Sequence, residues 1–309
     1  MNLHEHKNDF NALISIVANK MNLPESAIER DYFIVLLLDK LANSNYASSV
    51  VFKGGTSLSK CYPNSINRFS EDIDLTYLGM DYDDNKCNKA IKEIEQLMTR
   101  GFKTVKIVQE RNKRNKSSYV WWSNEENKIK LEIGSSVRPD PYSTKTLKSN
   151  IHEYLEKNNP EYIEKFKLNS VSLNVLNIER TFVDKLMSVK RHSLCGTLNT
   201  KVRHIYDVVK LYQMKEIKEF LKNKVELKRI IRLTKETDSF YLTKRNIPKE
   251  YSPLESYNFY SFSEYFNKDI QSIYENMHND LLYTNEKQFF SIALQTFIEI
   301  NEILKDIDE

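Results

Sequence analysis

The order of apolar and polar positions predicts helices at the start of the chain, strands in its middle and helices again towards its end. Apolar residues recur at helical spacing in the first segments, whereas DIDLTY at 72–77 alternates and is rich in β-formers. Before residue 137, helices are predicted over 8–20, 25–42, 56–62 and 85–100, and strands over 48–53, 72–77, 103–109, 118–123 and 128–134.

Beyond residue 137 the pattern changes. Residues 138–170 form a mixed connection interrupted by Pro139, Pro141 and Pro160. Almost all of the remainder has helical periodicity. The helices predicted there cover 177–192, 201–213, 215–235, a stretch near 253–278, and 286–306. This order predicts an α/β or α+β sheet domain over 1–137, followed by a mainly helical domain over 138–309.

Composition limits the class of protein without deciding it. A chain of 309 residues with a formal net charge of +3 can bury a core and neither requires nor excludes a nucleic-acid partner. Its three cysteines have no metal-site or disulfide spacing, which indicates a reducing, cytoplasmic compartment. Its longest apolar run, at 33–38, is too short for a membrane span, so no membrane partner is expected.

A glycine pair after the predicted strand at 48–53 is the first candidate for chemistry. Gly54 and Gly55 allow the backbone to approach a ligand closely, and the start of the following helical turn offers amide groups to phosphate. The hydroxyls of Thr56 and Ser57 could join these amides, and Lys60 lies one turn further on. The alternative is an ordinary tight turn with a helix cap.

Two carboxylates on the next predicted strand, Asp72 and Asp74, strengthen the phosphate interpretation. Side chains at i and i+2 of a strand point to the same face, where two carboxylates repel unless a cation lies between them. Carboxylate oxygens suit Mg²⁺, with Mn²⁺ as the alternative ion, and such an ion leaves positions for substrate phosphates. The alternative is an edge strand with a solvated acidic face.

Together the loop and the carboxylates predict metal-assisted phosphoryl transfer. Arg68 and Ser70, just before the pair, could bind phosphate or orient a carboxylate. Glu132, on the predicted strand at 128–134, is the best candidate for a third metal ligand. Because Lys128 and Lys130 share its side of the strand, a salt-bridged, solvated face is the alternative.

These motifs resemble a known family. Gly-Gly-Thr-Ser-Leu-x-Lys followed by Arg-Phe-Ser-x-Asp-x-Asp is similar to the AbiEii/MenT nucleotidyltransferase toxins, within the DNA polymerase beta-like superfamily. The stretches at 29–41, 180–192 and 201–212 resemble further family motifs, the last two of which bring a Lys and an Asp to Lys185 and Asp207. The resemblance implies an α+β fold, in which a polymerase beta-like domain with a mixed sheet precedes a helical domain that contributes Lys185 and Asp207 to the site.

Apart from the resemblance, helical spacing predicts different environments for Lys185 and Asp207. Lys185 falls on the apolar face of its predicted helix beside Phe182 and Val189, where an inward Lys is unusual; the alternative is a Lys that snorkels at the rim. Asp207 follows Arg203 by four residues, so an i,i+4 surface pair is its simplest interpretation, and only the family resemblance makes it a site residue.

The resemblance also implies the function. Such proteins are toxins of bacterial toxin–antitoxin or phage-defence systems that transfer NMP from an NTP to RNA, most often the tRNA 3′ end. The basic stretch at 100–116 could follow RNA phosphates or be a solvated loop, and Tyr119, Trp121 or Trp122 could stack an end base. The competing hypotheses are a small-molecule, antibiotic-type nucleotidyltransferase and a non-catalytic nucleotide-binding protein.

Overall fold

A computed structural model of the chain describes residues 2–122, 127–242, 257–279, 281–283, 286–305 and 307. The chain packs into two compact units, each of which takes two stretches of sequence. The sheet unit consists of Met1–Cys61 and Ser70–Val175, and the helical unit of Tyr62–Phe69 and Leu176–Glu309. The chain therefore changes unit after Cys61, after Phe69 and again after Val175, whereas the sequence placed a single boundary near residue 137.

One seven-stranded mixed sheet organises the sheet unit. Its strands are β1 Val50–Lys53, β2 Asp72–Tyr77, β3 Lys103–Lys106, β4 Asn115–Trp121, β5 Lys128–Gly134, β6 Tyr142–Leu147 and β7 Val171–Leu176. They lie in the order β3-β4-β5-β2-β1-β7-β6. The central strand β2 pairs antiparallel with β1 and parallel with β5, while β3, β4 and β5 form an antiparallel meander. The expected α+β class with a mixed sheet is confirmed.

The helices follow the predicted pattern with local differences. They are α1 Lys7–Met21, α2 Glu25–Ala42, α3 Gly54–Cys61, α4 Asp84–Thr99, α5 Asn150–Asn158, α6 Glu161–Lys165, α7 Ile178–Leu194, α8 Val202–Tyr212, α9 Lys215–Lys222, α10 Lys224–Leu242, α11 Lys268–Glu275 and α12 Phe290–Lys305. The helix predicted over 215–235 is two helices, because the chain leaves helical geometry at Asn223. Residues 253–256 of another predicted helix lie outside the described residues.

The sheet continues beyond residue 137, where the sequence indicated only a mixed connection. β6 has exposed and half-exposed residues from Tyr142 to Thr146, so this edge strand lacks the apolar alternation that would have identified it. β7 does alternate, with Val171, Leu173 and Val175 buried, but it is short and runs directly into α7.

Apolar side chains on one face of the sheet form the core of the sheet unit. Ile73 and Leu75 of β2 and Leu131 and Ile133 of β5 are all at most 1 % exposed, and α2 and α4 pack on these strands. Burying each such side chain contributes about 1.5–3 kcal/mol. Because side chains alternate along a strand, the neighbouring residues of β2 and β5 point to the opposite face.

In the helical unit, α7 packs against α8, α9 and α10, and α8 against α11 and α12. The segment Tyr62–Phe69 joins this unit through main-chain hydrogen bonds: Phe69 donates to the Leu281 carbonyl, and Tyr283 donates to the Asn67 carbonyl. Among the helices that the structure describes, none has a stretch both long and apolar enough to span a lipid bilayer.

Candidate active site

The glycine loop begins where β1 ends. Gly54 has a φ of +86°, a conformation that L-residues rarely adopt, and it is the first residue of α3. A Cβ placed on Gly54 would lie 2.1 Å from Oδ2 of Asp74. The Asp74 carboxylate therefore lies directly against the main chain at the start of α3, in space that only glycine leaves open.

The two aspartates of β2 share one face of the strand. Asp72 and Asp74 are half-buried, while Ile73 and Leu75 between and after them are buried on the other side. The Thr56 hydroxyl hydrogen-bonds to the Asp72 carbonyl and lies 2.9 Å from the Ser70 hydroxyl. These contacts fasten the first turn of α3 to the start of β2, so the loop and the carboxylates form one local structure.

The loop hydroxyls are already engaged within the protein. Ser57 donates to the Gly54 carbonyl at 3.0 Å, in addition to the Thr56 contacts above. The first four amides of any α-helix have no acceptor within the helix. The groups best placed to receive a phosphate at the start of α3 are therefore main-chain amides from Gly54 onward, including that of Gly55.

Lys60, at the end of α3, has partners within the sheet unit. Its Nζ lies 2.6 Å from Asp31 Oδ1 and 3.4 Å from Asn150 Oδ1, and the Asn150 amide donates to Asp31 at 2.6 Å. Asp31 thus links α2, α3 and α5. A contact between Lys60 and phosphate would require its ammonium group to leave this carboxylate.

Glu132 lies beside the aspartates but is engaged by a lysine. It is the register partner of Asp74 across β2 and β5. Lys130 Nζ lies 2.5 Å from Glu132 and 2.8 Å from Glu110, and burial, which lowers the Lys130 pKa, is outweighed by these two carboxylates, which raise it. Glu132 is therefore in the salt-bridged arrangement that the sequence left as its alternative.

The donor set fits a magnesium ion held by two carboxylates. Across the described ranges, no group of three His, Cys, Asp or Glu side chains is arranged to hold a metal. Mg²⁺ does not need one, because it commonly takes one or two carboxylates and completes its shell with water and substrate phosphates. Asp72 and Asp74 lie on one face of β2, with Asp74 against the start of α3, and they supply that set.

A separate polar cluster lies inside the helical unit. Arg68 donates to both oxygens of Asp207, at 2.6 and 2.7 Å, and Lys185 Nζ lies 2.7 Å from Asp207 Oδ2. Asp207 is fully buried, so it is not one half of a surface pair, and Lys185 points inward as its apolar helix face predicted. Arg68, Lys185 and Asp207 are hereafter called the buried cation cluster.

This cluster has two cations for one carboxylate and so carries one net positive charge. Burial by itself raises the pKa of the Asp207 carboxyl, but Arg68 and Lys185 outweigh burial and hold that pKa well below its usual range. Removing one member of such a buried pair leaves an uncompensated charge, at a cost of about 3–5 kcal/mol.

Comparison with known proteins identifies the family. The model for "Nucleotidyl transferase AbiEii toxin, Type IV TA system" matches residues 35–296, which include the glycine loop, both aspartates and the buried cation cluster. The chain belongs to the AbiEii family. It is a nucleotidyltransferase toxin of a type IV toxin–antitoxin system, as the resemblance of its motifs implied.

One solved structure with a TM-score above 0.5 supports the fold. MenT4, a nucleotidyltransferase toxin from Mycobacterium tuberculosis H37Rv, is similar with a TM-score of 0.58 and 17% identity, over 96% of this chain and 90% of that one. JHP933 from Helicobacter pylori matches with a TM-score of 0.45 and 18% identity, over 92% of this chain and 94% of that one. No curated protein sequence matches the chain.

In this AbiEii protein the basic stretch at 100–116 is not a loop of uniform charge. Three of its cations have structural partners: Arg111 binds Glu95 through two nitrogens, Arg114 binds Asp84 and main-chain carbonyls, and the buried Lys116 donates to main-chain carbonyls. The exposed members are Arg100, Lys103, Lys106 and Lys113.

The three aromatic candidates divide in the same way. Trp122 is half-buried and stacks on the buried Phe33 of α2 with a centroid distance of 4.8 Å and an interplanar angle of 21°, so one face of its ring already has an aromatic partner within the protein. Tyr119 and Trp121 are half-buried and lie on the side of β4 opposite Val120, which is 1 % exposed. They stay candidates.

Lys53 is a site residue that the sequence interpretation omitted. It is the register partner of Asp74 on β1, immediately before Gly54. Directly opposed residues in an antiparallel pair have Cβ atoms about 4.5–5.5 Å apart, so Lys53 places a positive charge beside the carboxylate. Strand parity could have found it, because Lys53 ends the strand that precedes the glycine loop.

Proposed function

We propose that this AbiEii toxin transfers a nucleoside monophosphate from a Mg²⁺-bound NTP to a 3′ hydroxyl of RNA, with the tRNA 3′ end as the expected acceptor. The observation that supports it most strongly is the contact between Asp74 and Gly54, which brings a carboxylate pair to the start of α3. A triphosphate held by the amides of Gly54 and Gly55 would then meet Asp72 and Asp74 directly.

Asp72 and Asp74 would hold Mg²⁺, or Mn²⁺ in its place. When bound, the ion neutralises charge on the phosphates and on departing pyrophosphate. Thr56 and Ser70 keep the loop and β2 together through their hydroxyl contacts, and Ser57 closes the first turn of α3. Lys53 would offset negative charge beside the α-phosphate.

A general base must remove the proton of the attacking hydroxyl, and a carboxylate that accepts a hydrogen bond from this hydroxyl can do so. Asp74 and Glu132 are register partners on adjacent strands and are the candidates. Glu132 would act by exchanging its Lys130 contact for the hydroxyl. Lys60 would act only if its ammonium group leaves Asp31.

The family resemblance implies that Lys185 and Asp207 take part in transfer, and we include them in the proposal together with Arg68, which binds the same carboxylate. In this proposal Asp207 fixes the orientation of the two cations within the helical unit. The partners are then an NTP, an RNA acceptor and an antitoxin, whose direct binding is a further expectation.

The test is incubation of the purified toxin with each labelled NTP, Mg²⁺ and total RNA, with a panel of aminoglycosides in parallel. The proposal is supported if the wild-type toxin labels small RNA and the Asp72→Asn variant does not. Label only in the drug panel would replace it with a small-molecule acceptor. Absence of labelling together with no Mg²⁺-dependent stabilisation by any NTP would identify a non-catalytic protein.

A further inference from the structure

The sheet face that contains Asp72 and Asp74 continues across three more strands. Lys130 of β5 is the register partner of both Asp72 on β2 and Tyr119 on β4, and Lys128 is the partner of Trp121. Paired residues in a sheet have side chains on the same face. The carboxylates and the two aromatic residues therefore lie on one continuous surface of the sheet unit.

This surface is aromatic and basic at its far end. On β3, Lys103 pairs with Trp121 and Val105 with Tyr119, and both β3 residues are exposed. Lys128 Nζ lies 4.5 Å from the Tyr119 ring centroid and 5.9 Å from that of Trp121, while Lys103 Nζ lies 5.7 Å from the Trp121 centroid. We call Lys103, Tyr119, Trp121 and Lys128 the aromatic–lysine platform.

The platform has the features that single-stranded nucleic acid requires. Aromatic rings on a protein surface stack bases without regard to sequence, and adjacent lysines bind the backbone phosphates; Tyr119 and Trp121 are half-buried, so part of each ring is accessible. The ammonium groups of the exposed Lys103 and Lys128 lie over these rings, and a base could displace an ammonium group from a ring while that group moves to a phosphate.

The spacing matches a short strand. From Asp72, Trp121 lies two strands away and two residues along, which is about 12 Å with strands about 4.8 Å apart and about 3.3 Å per residue. Three bases at the stacked spacing of about 3.4 Å cover nearly that distance. A strand whose terminal hydroxyl lies at the carboxylates would thus place its third or fourth base on the platform.

We infer that the aromatic–lysine platform binds the unpaired nucleotides just before the reacting 3′ end of the RNA acceptor. The inference rests on the proposed function. It predicts that the toxin prefers RNA acceptors that end in a few unpaired nucleotides to acceptors with fully paired ends. It also excludes Trp122, Arg111, Arg114 and Lys116, whose side chains are held by other parts of the sheet unit.

Binding can be tested without catalysis. The chain has two tryptophans, so Trp122→Phe leaves Trp121 as the single fluorophore and Trp121→Phe leaves Trp122. Titration with a short single-stranded RNA should quench the first protein and leave the second nearly unchanged. Trp121→Ala should weaken RNA binding about 10- to 100-fold, whereas Tyr142→Ala, an exposed tyrosine on β6 at the other edge of the sheet, should not.

Salt dependence tests the lysines. Replacing Lys103 and Lys128 together by Gln should reduce the slope of log K against log salt by about 1.4, because each single-strand phosphate contact contributes about 0.7. Lys89→Gln on α4, also exposed, is the matched control and should leave the slope unchanged.

Transfer separates this inference from the proposed function. With an RNA acceptor, Trp121→Ala should raise the KM for RNA while the Kd for Mg²⁺–NTP stays at its wild-type value. Normal RNA binding and normal KM in Trp121→Ala, with transfer intact, overturn the platform alone. Absence of transfer to any RNA by the wild-type toxin overturns the proposed function, and loss of antitoxin binding with normal RNA binding would make the platform a protein interface.

Discussion

Asp74 lies so close to Gly54 that a side chain at position 54 would collide with it: Oδ2 of the aspartate is 2.1 Å from the position that a Cβ on Gly54 would take. Gly54→Ala must therefore displace the carboxylate and strain a backbone with φ +86°. We expect a loss of transfer of about 100-fold, the cost of a displacement of about 1 Å at a reacting centre.

The matched control is Gly101→Ala. Gly101 has nearly the same φ, +87°, but a Cβ there meets nothing within 4 Å. The free energy of unfolding of Gly101→Ala should fall by about 1–2 kcal/mol because of backbone strain, and its transfer activity should be unchanged. Equal effects of the two substitutions on transfer would contradict the role given to the Gly54–Asp74 contact.

Asp72→Asn and Asp74→Asn should each abolish transfer, by at least about 100-fold, because they weaken the metal site that stabilises charge on the phosphates. Folding should survive, since removing one of two adjacent like charges relieves repulsion. Differential scanning fluorimetry with NTP and Mg²⁺ should show no ligand-induced shift. Glu71→Gln is the control, because Glu71 is exposed and pairs with Arg30; full activity in either Asp variant sinks the assignment.

Glu132→Gln tests whether Glu132 has a catalytic role or only a salt bridge. If Glu132 is the general base, the Glu132→Gln variant should have a kcat about 10²–10⁴-fold lower than the wild type, with little change in the KM for NTP. Glu110→Gln is the matched variant, since Glu110 binds the same Lys130 ammonium group. If both variants keep near-normal kcat, Glu132 belongs only to a salt-bridged strand face.

Asp207→Asn should lower the free energy of unfolding by about 3–5 kcal/mol at pH 7, because Arg68 and Lys185 would stay buried without a counter-charge. The pKa of Asp207 is lowered in the folded protein, so its contribution is complete above the unfolded pKa of about 4 and is lost as pH falls below it. Urea unfolding from pH 7 down to pH 3 should show the gap between variant and wild type narrowing.

The adjacent tryptophans should differ sharply in their effect on stability. Trp122→Ala removes a half-buried ring that stacks on the buried Phe33 and should cost about 1–3 kcal/mol. Trp121→Ala acts at a half-exposed position and should cost about 0.5 kcal/mol or less. Chemical denaturation of both variants measures the difference, and similar losses would contradict the placement of the two rings.

Local patterns located most of the proposed site before any coordinates. DIDLTY has its strand over the same residues as predicted, because both its alternation and its β-formers agree. The inward position of Lys185 followed from its place on the apolar face of its helix. The glycine loop is joined to β2 through the Thr56 hydroxyl. The sequence did not show this contact, because the same hydroxyl could have bound a ligand.

Long-range partners could not be read from the sequence. Arg68 and Asp207 are 139 positions apart, and nothing local distinguishes that pair from Asp207 with Arg203 one helical turn away. The same limit applies to Lys60, whose partner Asp31 lies on another helix. The different positions of the adjacent Trp121 and Trp122 follow from the alternation of side chains along β4, and the face that each occupies depends on the β4–β5 register.

The division of the chain between its two units also constrains the order in which the protein can form. Residues 62–69 belong to the helical unit, and their main-chain partners lie at 281–283, more than 200 positions later. A ribosome that has completed every strand of the sheet has therefore not yet synthesised the residues that hold Arg68 in place. The nascent toxin would carry both aspartates long before Arg68 is fixed, so the helical unit can complete its packing only after most of the chain has been synthesised.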